Sequence, residues 1–264
     1  MKRLVIACDG TWKRLDSLHA TNVLKVAQAV LPHDADGIAQ ITCHLDGVGA
    51  GRGTGRLAKG IDRALGGMFG LGLTATLETA YRFLVFNYAP GDEIYLLGFS
   101  RGAYTARSLA GLIRNCGILA RGNAAMIPRA LALYRARGEG TRPEGKVARA
   151  FRERFSVDHE AGVAPCIAFL GVWDTVGALG VPEHVWLSER VNRGLGFHDT
   201  RLSRAVLAAR HAVAIDERRR TFRPALWDNL AALDAEGVPG RYRQCWFPGD
   251  HGSVGGGGPV TVLS

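Results

Sequence analysis

Apolar residues run on without alternation over five stretches of strand length: residues 4–8, 38–45, 93–99, 166–173 and 242–247. Between them, helical spacing recurs over residues 22–30, 74–88, 103–115 and 201–213. A strand that is apolar on both sides must be covered on both faces, and alternation with helices supplies the covers. The pattern predicts a three-layer α/β protein, a mostly parallel sheet with helices on both faces, in one domain over residues 1–264. Residues 120–158 break the rhythm. They are rich in Arg, Ala and Gly, with helical spacing only at 127–137 and 147–155. Inserted between a helix and a strand, this segment is expected to be either a lid or crossover helix.

The segment Gly98-Phe99-Ser100-Arg101-Gly102 reads G-x-S-x-G. The five residues alone are a weak signal. Here a strand leads in over 92–97 and a helix follows from Ala103, the context in which a serine is carried on a sharp turn at the carboxyl edge of a sheet. Glycines two before and two after the serine leave room for that crossing. Ser100 is therefore the candidate nucleophile; a glycine-flanked helix cap is the plainer alternative.

A serine hydroxyl needs a base, and the base needs an acid to orient it. Of the five histidines after Ser100 (His159, His184, His198, His211 and His251), His251 follows the last strand in a Pro-Gly-Asp-His-Gly loop. That position delivers an imidazole to the serine's edge of the sheet. His211 falls in the helical spacing of 201–213 and is expected to be a packed or capping residue. Asp174 ends the 166–173 strand and is the first candidate for the acid; Asp216 is the alternative and Asp250 a weaker third. The backbone N–H of Arg101, with that of Gly10 or Thr11 in the turn after the first strand, is expected to form an oxyanion hole.

Composition narrows the field. Lys and Arg exceed Asp and Glu by 33 to 24, a net charge of +9, and 28 of the 33 are arginine. The excess suits anionic lipid or acidic substrates, but no zinc-finger spacing or aromatic–basic stripe supports nucleic-acid binding. No apolar run is long enough for a membrane span or a signal peptide, so synthesis and residence in the cytoplasm are expected. Five cysteines without close spacing read as free thiols, and no metal or cofactor motif appears. Asp9-Gly10-Thr11 admits a Mg²⁺-dependent phosphatase reading, although Thr11 stands where a second aspartate is wanted. The glycine-rich residues 47–53 lack the ending of a phosphate loop.

Seven blocks together resemble one family. They are Cys8-Asp9-Gly10-Thr11-Trp12, Leu45-Asp46-Gly47-Val48-Gly49, Asn87-Tyr88-x-Pro90-Gly91-Asp92, Gly98 to Arg107, Val172-Trp173-Asp174-Thr175-Val176-Gly177, His211 to Arg219, and Trp246-Phe247-Pro248-Gly249-x-His251 with Val254-Gly255-Gly256-Gly257. The chain is similar to the α/β-hydrolase domain of type VI secretion phospholipase effectors of the first lipase class and their uncharacterised bacterial and fungal relatives. The resemblance implies a Ser-Asp-His esterase acting on phospholipid acyl esters, with Ser100, Asp174 and His251 at the matching positions, and export by type VI secretion. A soluble short-chain esterase, or a weakened hydrolase fold that only binds, is the alternative. Lys13 departs from the asparagine usual there. The family continues in helix past the triple glycine, so the chain reads as cut short, with a weakly held end. If residues 120–158 form a lid, Ile127, Leu131, Leu133 and Tyr134 are expected to dip into a lipid surface.

Overall fold

The computed structural model describes residues 1–10, 19–47, 67–136, 138–157, 165, 167–177, 201–235, 237–238 and 240–258, the side chains of 67–71 and 221 excepted. Six strands form one sheet: β1 (Arg3–Cys8), β2 (Gln40–Leu45), β3 (Glu93–Phe99), β4 (Ile167–Trp173), β5 (Ala209–Ala214) and β6 (Tyr242–Phe247). Their order is β2-β1-β3-β4-β5-β6, and every neighbouring pair is parallel. The chain moves outward from β1 to β2 and then returns to the other side for β3. The order therefore reverses between β1 and β3, and the carboxyl ends of those strands flank the crevice where open α/β sheets bind ligands.

Successive residues of β1 serve opposite faces, as the pleat requires. Val5 and Ala7 join Leu97 and Phe99 under α1 (Asn22–Ala29), which contributes Val23. Leu4, Ile6 and Cys8 join Ile94 and Leu96 beneath α2 (Gly67–Asn87) and α3 (Arg101–Cys116). Both faces are thus covered, and the three-layer α/β class holds. The edge strands differ: Trp246 and Phe247 of β6 are exposed, because no strand or helix among the described residues covers them.

Two expectations need correction. Residues 201–213 are not a helix: 201–208 run in turns and bridges, and β5 follows. The alanines and arginines there favour helix locally, but pairing with β4 and β6 on both sides overrides that weak preference. Residues 120–157 hold α4 (Ile127–Arg135) and α5 (Lys146–Phe155), both packed on α3. Ile127, Leu131 and Leu133 are buried in the main core and Tyr134 packs against it. These side chains support α3 and do not face a lipid surface. Asp158, the last residue of the expected lid, lies outside the described residues, as do Cys166 and residues 48–53 of the glycine-rich loop. Residues 230–235 form a short helix, α6 (Leu230–Ala235), and 251–255 another, α7 (His251–Gly255).

Candidate active site

Ser100 joins β3 to α3 with φ 58° and ψ −122°, outside the regions that residues with a side chain normally adopt. Its two glycine neighbours explain how the turn closes. A Cβ on Gly98 would lie 2.5 Å from the Gly102 carbonyl oxygen, and one on Gly102 would lie 2.1 Å from that of Cys8. The helix start is pressed against the strand that leads in and against the end of β1. The Ser100 amide donates to the Trp173 carbonyl, 3.0 Å away, which ties the turn to β4.

Ser100 Oγ lies 2.8 Å from His251 Nε2, and His251 Nδ1 lies 2.6 Å from Asp174 Oδ2. All three side chains are buried, Asp174 at 0% exposure. With Nδ1–H donating to the carboxylate, Nε2 is left to accept the serine proton; the hydrogen-bond pattern assigns this tautomer. The expected acid, base and hydroxyl therefore meet in one chain of hydrogen bonds. Asp174 is clamped by β5: its amide donates to Ala212 O (2.7 Å), and its Oδ1 accepts from the Ala214 amide (2.9 Å). Like Ser100 it has a positive φ, 37°.

The alternative acid is elsewhere. Asp216 Oδ2 accepts the Gly249 amide at 2.7 Å, so this carboxylate braces the turn before His251 instead of meeting its ring. Asp250 caps α7, accepting from Ser253 N and Oγ at 2.9 and 2.8 Å. Gly10 differs from expectation: its N–H donates to Asp9 Oδ1 at 2.7 Å, because the carboxylate folds back onto the amide that follows it. Asp9 Oδ2 accepts from Thr21 Oγ1 at 2.9 Å. Thr11 lies outside the described residues. Arg101 is the first residue of α3, where amides lack acceptors within the helix.

Sequence reasoning missed the parts that hold the imidazole and the acid. The His251 ring lies between Phe99 and Phe222, both at 4.7 Å between ring centroids. Glu217 accepts the His251 amide at 3.2 Å and is itself gripped by the Arg219 guanidinium at 2.6 and 2.8 Å. Arg219, with further help from backbone amides, holds the Glu217 carboxyl down at about 2. The same guanidinium stacks on Phe222 at 4.0 Å. His211, expected to be packed, is buried on β5 and also hydrogen-bonded. Its Nε2 accepts the Thr175 amide at 3.2 Å, and its Nδ1–H donates to Gln244 Oε1 at 2.9 Å. Burial first, and then nearby Arg107, pull its pKa down to about 4, so it stays neutral at pH 7. A period-two reading of residues 209–213, buried at 209, 211 and 213, was the signal available for this strand.

A yeast protein, "Uncharacterized protein YEL023C" of Saccharomyces cerevisiae, is 32% identical over 234 residues, covering 84% of this chain and 32% of its own. The solved structure of the Tle1 effector bound to the VgrG spike of the type VI secretion system matches with a TM-score of 0.51 at 19% identity, over 99% of this chain and 52% of that one. The chain spans about a third of the yeast relative and about half of the effector. The sequence model described as "T6SS, Phospholipase effector Tle1-like, catalytic domain" matches residues 2–262. The chain belongs to that family of Tle1-like phospholipase effector catalytic domains.

Proposed function

We propose that this chain is a serine esterase that cleaves carboxylic esters, with the acyl esters of phospholipids as its substrate class. The observation that carries the reading is the hydrogen-bonded series Ser100–His251–Asp174, at 2.8 and 2.6 Å, on the carboxyl edge of the sheet. Family membership supports a lipase or esterase activity of some kind. In this reading Ser100 Oγ attacks the acyl carbon while its proton passes to His251 Nε2. Asp174 holds the ring and stabilises the imidazolium. The carbonyl oxygen, now negative, takes the Arg101 N–H. Gly10 is engaged by Asp9, so Arg101 is the oxyanion donor on which this reading rests. His251 returns the proton to the leaving alcohol, and water then releases the fatty acid by the same steps.

Reach to a bilayer is supported by Ile215, Trp246 and Phe247. These exposed side chains lie at the carboxyl ends of β5 and β6, the edge that carries His251, with exposed Arg218, Arg220 and Arg223 following in sequence. They replace Ile127, Leu131 and Leu133, which are buried, and Tyr134, which packs against the core.

The test is fatty-acid release from phospholipid vesicles and from a short-chain nitrophenyl ester. Ser100→Ala is expected to lower kcat on both by on the order of 10⁶, and Asp174→Asn by about 10⁴. Wild-type turnover by Ser100→Ala, or covalent labelling of another residue by a fluorophosphonate, overturns the assignment. Turnover of the soluble ester alone favours the short-chain esterase.

A further inference from the structure

A cavity of about 410 Å³, whose lining does not include Ser100, opens on the α3 face of the sheet. Arg107, Arg114 and Asn115 line it from α3, Arg142 from the turn before α5, and Arg201 from the segment before β5. Arg114 is 14 residues beyond Ser100, about 20 Å along the helix axis at 1.5 Å per residue. An ester carbonyl held at Ser100 is therefore not what these arginines surround.

Among the described residues, no carboxylate lines the cavity. Glu144 pairs with Arg114 at the rim, and among the described residues Arg142 and Arg201 have no ion-pair partner. Arg107 is 2% exposed; it donates to the Ala225 carbonyl and lies over the Trp227 ring at 5.2 Å. Behind the rim, Arg152 donates to the carbonyls of Asn115 and Pro143 at 2.8 and 2.9 Å, adding positive charge and fixing both walls. Guanidinium groups arriving from three separate segments suit a tetrahedral oxyanion, whereas a planar carboxylate is satisfied by one fork. Leu170, Val206 and Trp227 give the cavity apolar wall, and its volume suits a small organic molecule. Asn115 is 4% exposed, and among the described residues its Oδ1 has no hydrogen-bond partner. Buried acceptors are seldom left so, and a hydroxyl on the ligand would satisfy this one.

We propose that this cavity binds a phosphomonoester of a small polyol. The phosphoryl group sits at the mouth on Arg114, Arg142 and Arg201, and the alcohol part lies inward. The chemistry is shared by soluble glycerol 3-phosphate and by a lipid with a phosphomonoester headgroup. The site does not depend on the esterase reading.

The test is calorimetric titration with glycerol 3-phosphate, inorganic phosphate and glycerol, run beside sedimentation with phosphatidic acid vesicles. Glycerol 3-phosphate is expected to bind the wild type and Ser100→Ala equally, glycerol not at all. Each of Arg142→Gln and Arg201→Gln should raise Kd about tenfold, the loss of one charge-assisted contact. Both side chains are exposed, so an unchanged melting temperature is the folding control. Binding to vesicles that falls in these two variants, without binding of the soluble ester, keeps the site and assigns it to the lipid headgroup. Overturning results are no binding of either phosphate ester, or binding that Ser100→Ala abolishes and the two arginine variants leave intact.

Discussion

In the proposed mechanism, His211 acts on Asp174 at one remove. Its Nε2 holds the amide of Thr175, the residue after Asp174, and that amide can be accepted only while the imidazole is neutral. His211→Phe removes the acceptor and is expected to lower kcat about tenfold with KM little changed, the size of one buried hydrogen bond. Titration gives a readout that packing alone would not. The folded pKa, about 4, lies below the unfolded value of 6.5, so as pH falls the unfolded chain takes up the proton first. Stability tied to His211 is full above pH 6.5 and is lost between about 6.5 and 4, at about 1.4 kcal/mol per unit. Denaturant unfolding of His211→Phe should show a flatter profile across that window. Glu217 works at lower pH: its carboxyl is held at about 2, so its contribution is present above about 4.5 and disappears as pH drops toward 2. Glu217→Gln should therefore lower stability at pH 7 and not near pH 2, and should loosen the His251 amide, read as faster hydrogen exchange at that residue.

At the scale of elements, the glycines decide what can pack. A Cβ on Gly255 of α7 would fall 1.9 Å from the Phe99 ring, and Gly256, at φ 75°, bridges to Thr21. Gly255→Ala is expected to push α7 and its histidine off the sheet, with loss of ester turnover, and Gly255→Ala with Phe99→Leu to recover part of it. Val254, Gly255 and Gly256 are buried, so the part of the expected weak end that is described packs on the sheet; residues 259–264 lie outside the described residues. The G-x-S-x-G turn was legible because strand, glycines and helix are neighbours in sequence. Asp174 and His251 were legible because each ends or follows a strand that reads as apolar. β5 was not, since six residues rich in alanine carry no helix-or-strand signal strong enough to outweigh local preference. The role of Asp216, Glu217 and Arg219 was hidden for a different reason. Their partners are Gly249, His251 and Phe222, and only the side-by-side pairing of β5 with β6 brings two of these within reach.

For the molecule as a whole, the +9 charge and the exposed Ile215, Trp246 and Phe247 act together. No helix among the described residues is long and apolar enough to cross a membrane. In the proposed function, attachment to lipid rests on surface charge and a few apolar side chains, at about 1 kcal/mol per basic residue close to an anionic surface. Co-sedimentation with anionic vesicles is expected at low salt and should weaken as salt rises; Trp246→Ala should weaken it at both, since burial of an indole is not screened. Equal binding to neutral and anionic vesicles would contradict the electrostatic part. The long reach between Ser100 and His251, 151 residues apart in sequence, has a consequence for the order of synthesis. A ribosome completes β3 and the serine turn well before it makes the histidine, and β5, which clamps Asp174, comes between. In the proposed mechanism the hydroxyl has no base throughout that interval, so the growing chain would carry an unreactive serine. Stalled chains ending before residue 251 should stay dark to a fluorophosphonate probe that labels the released protein.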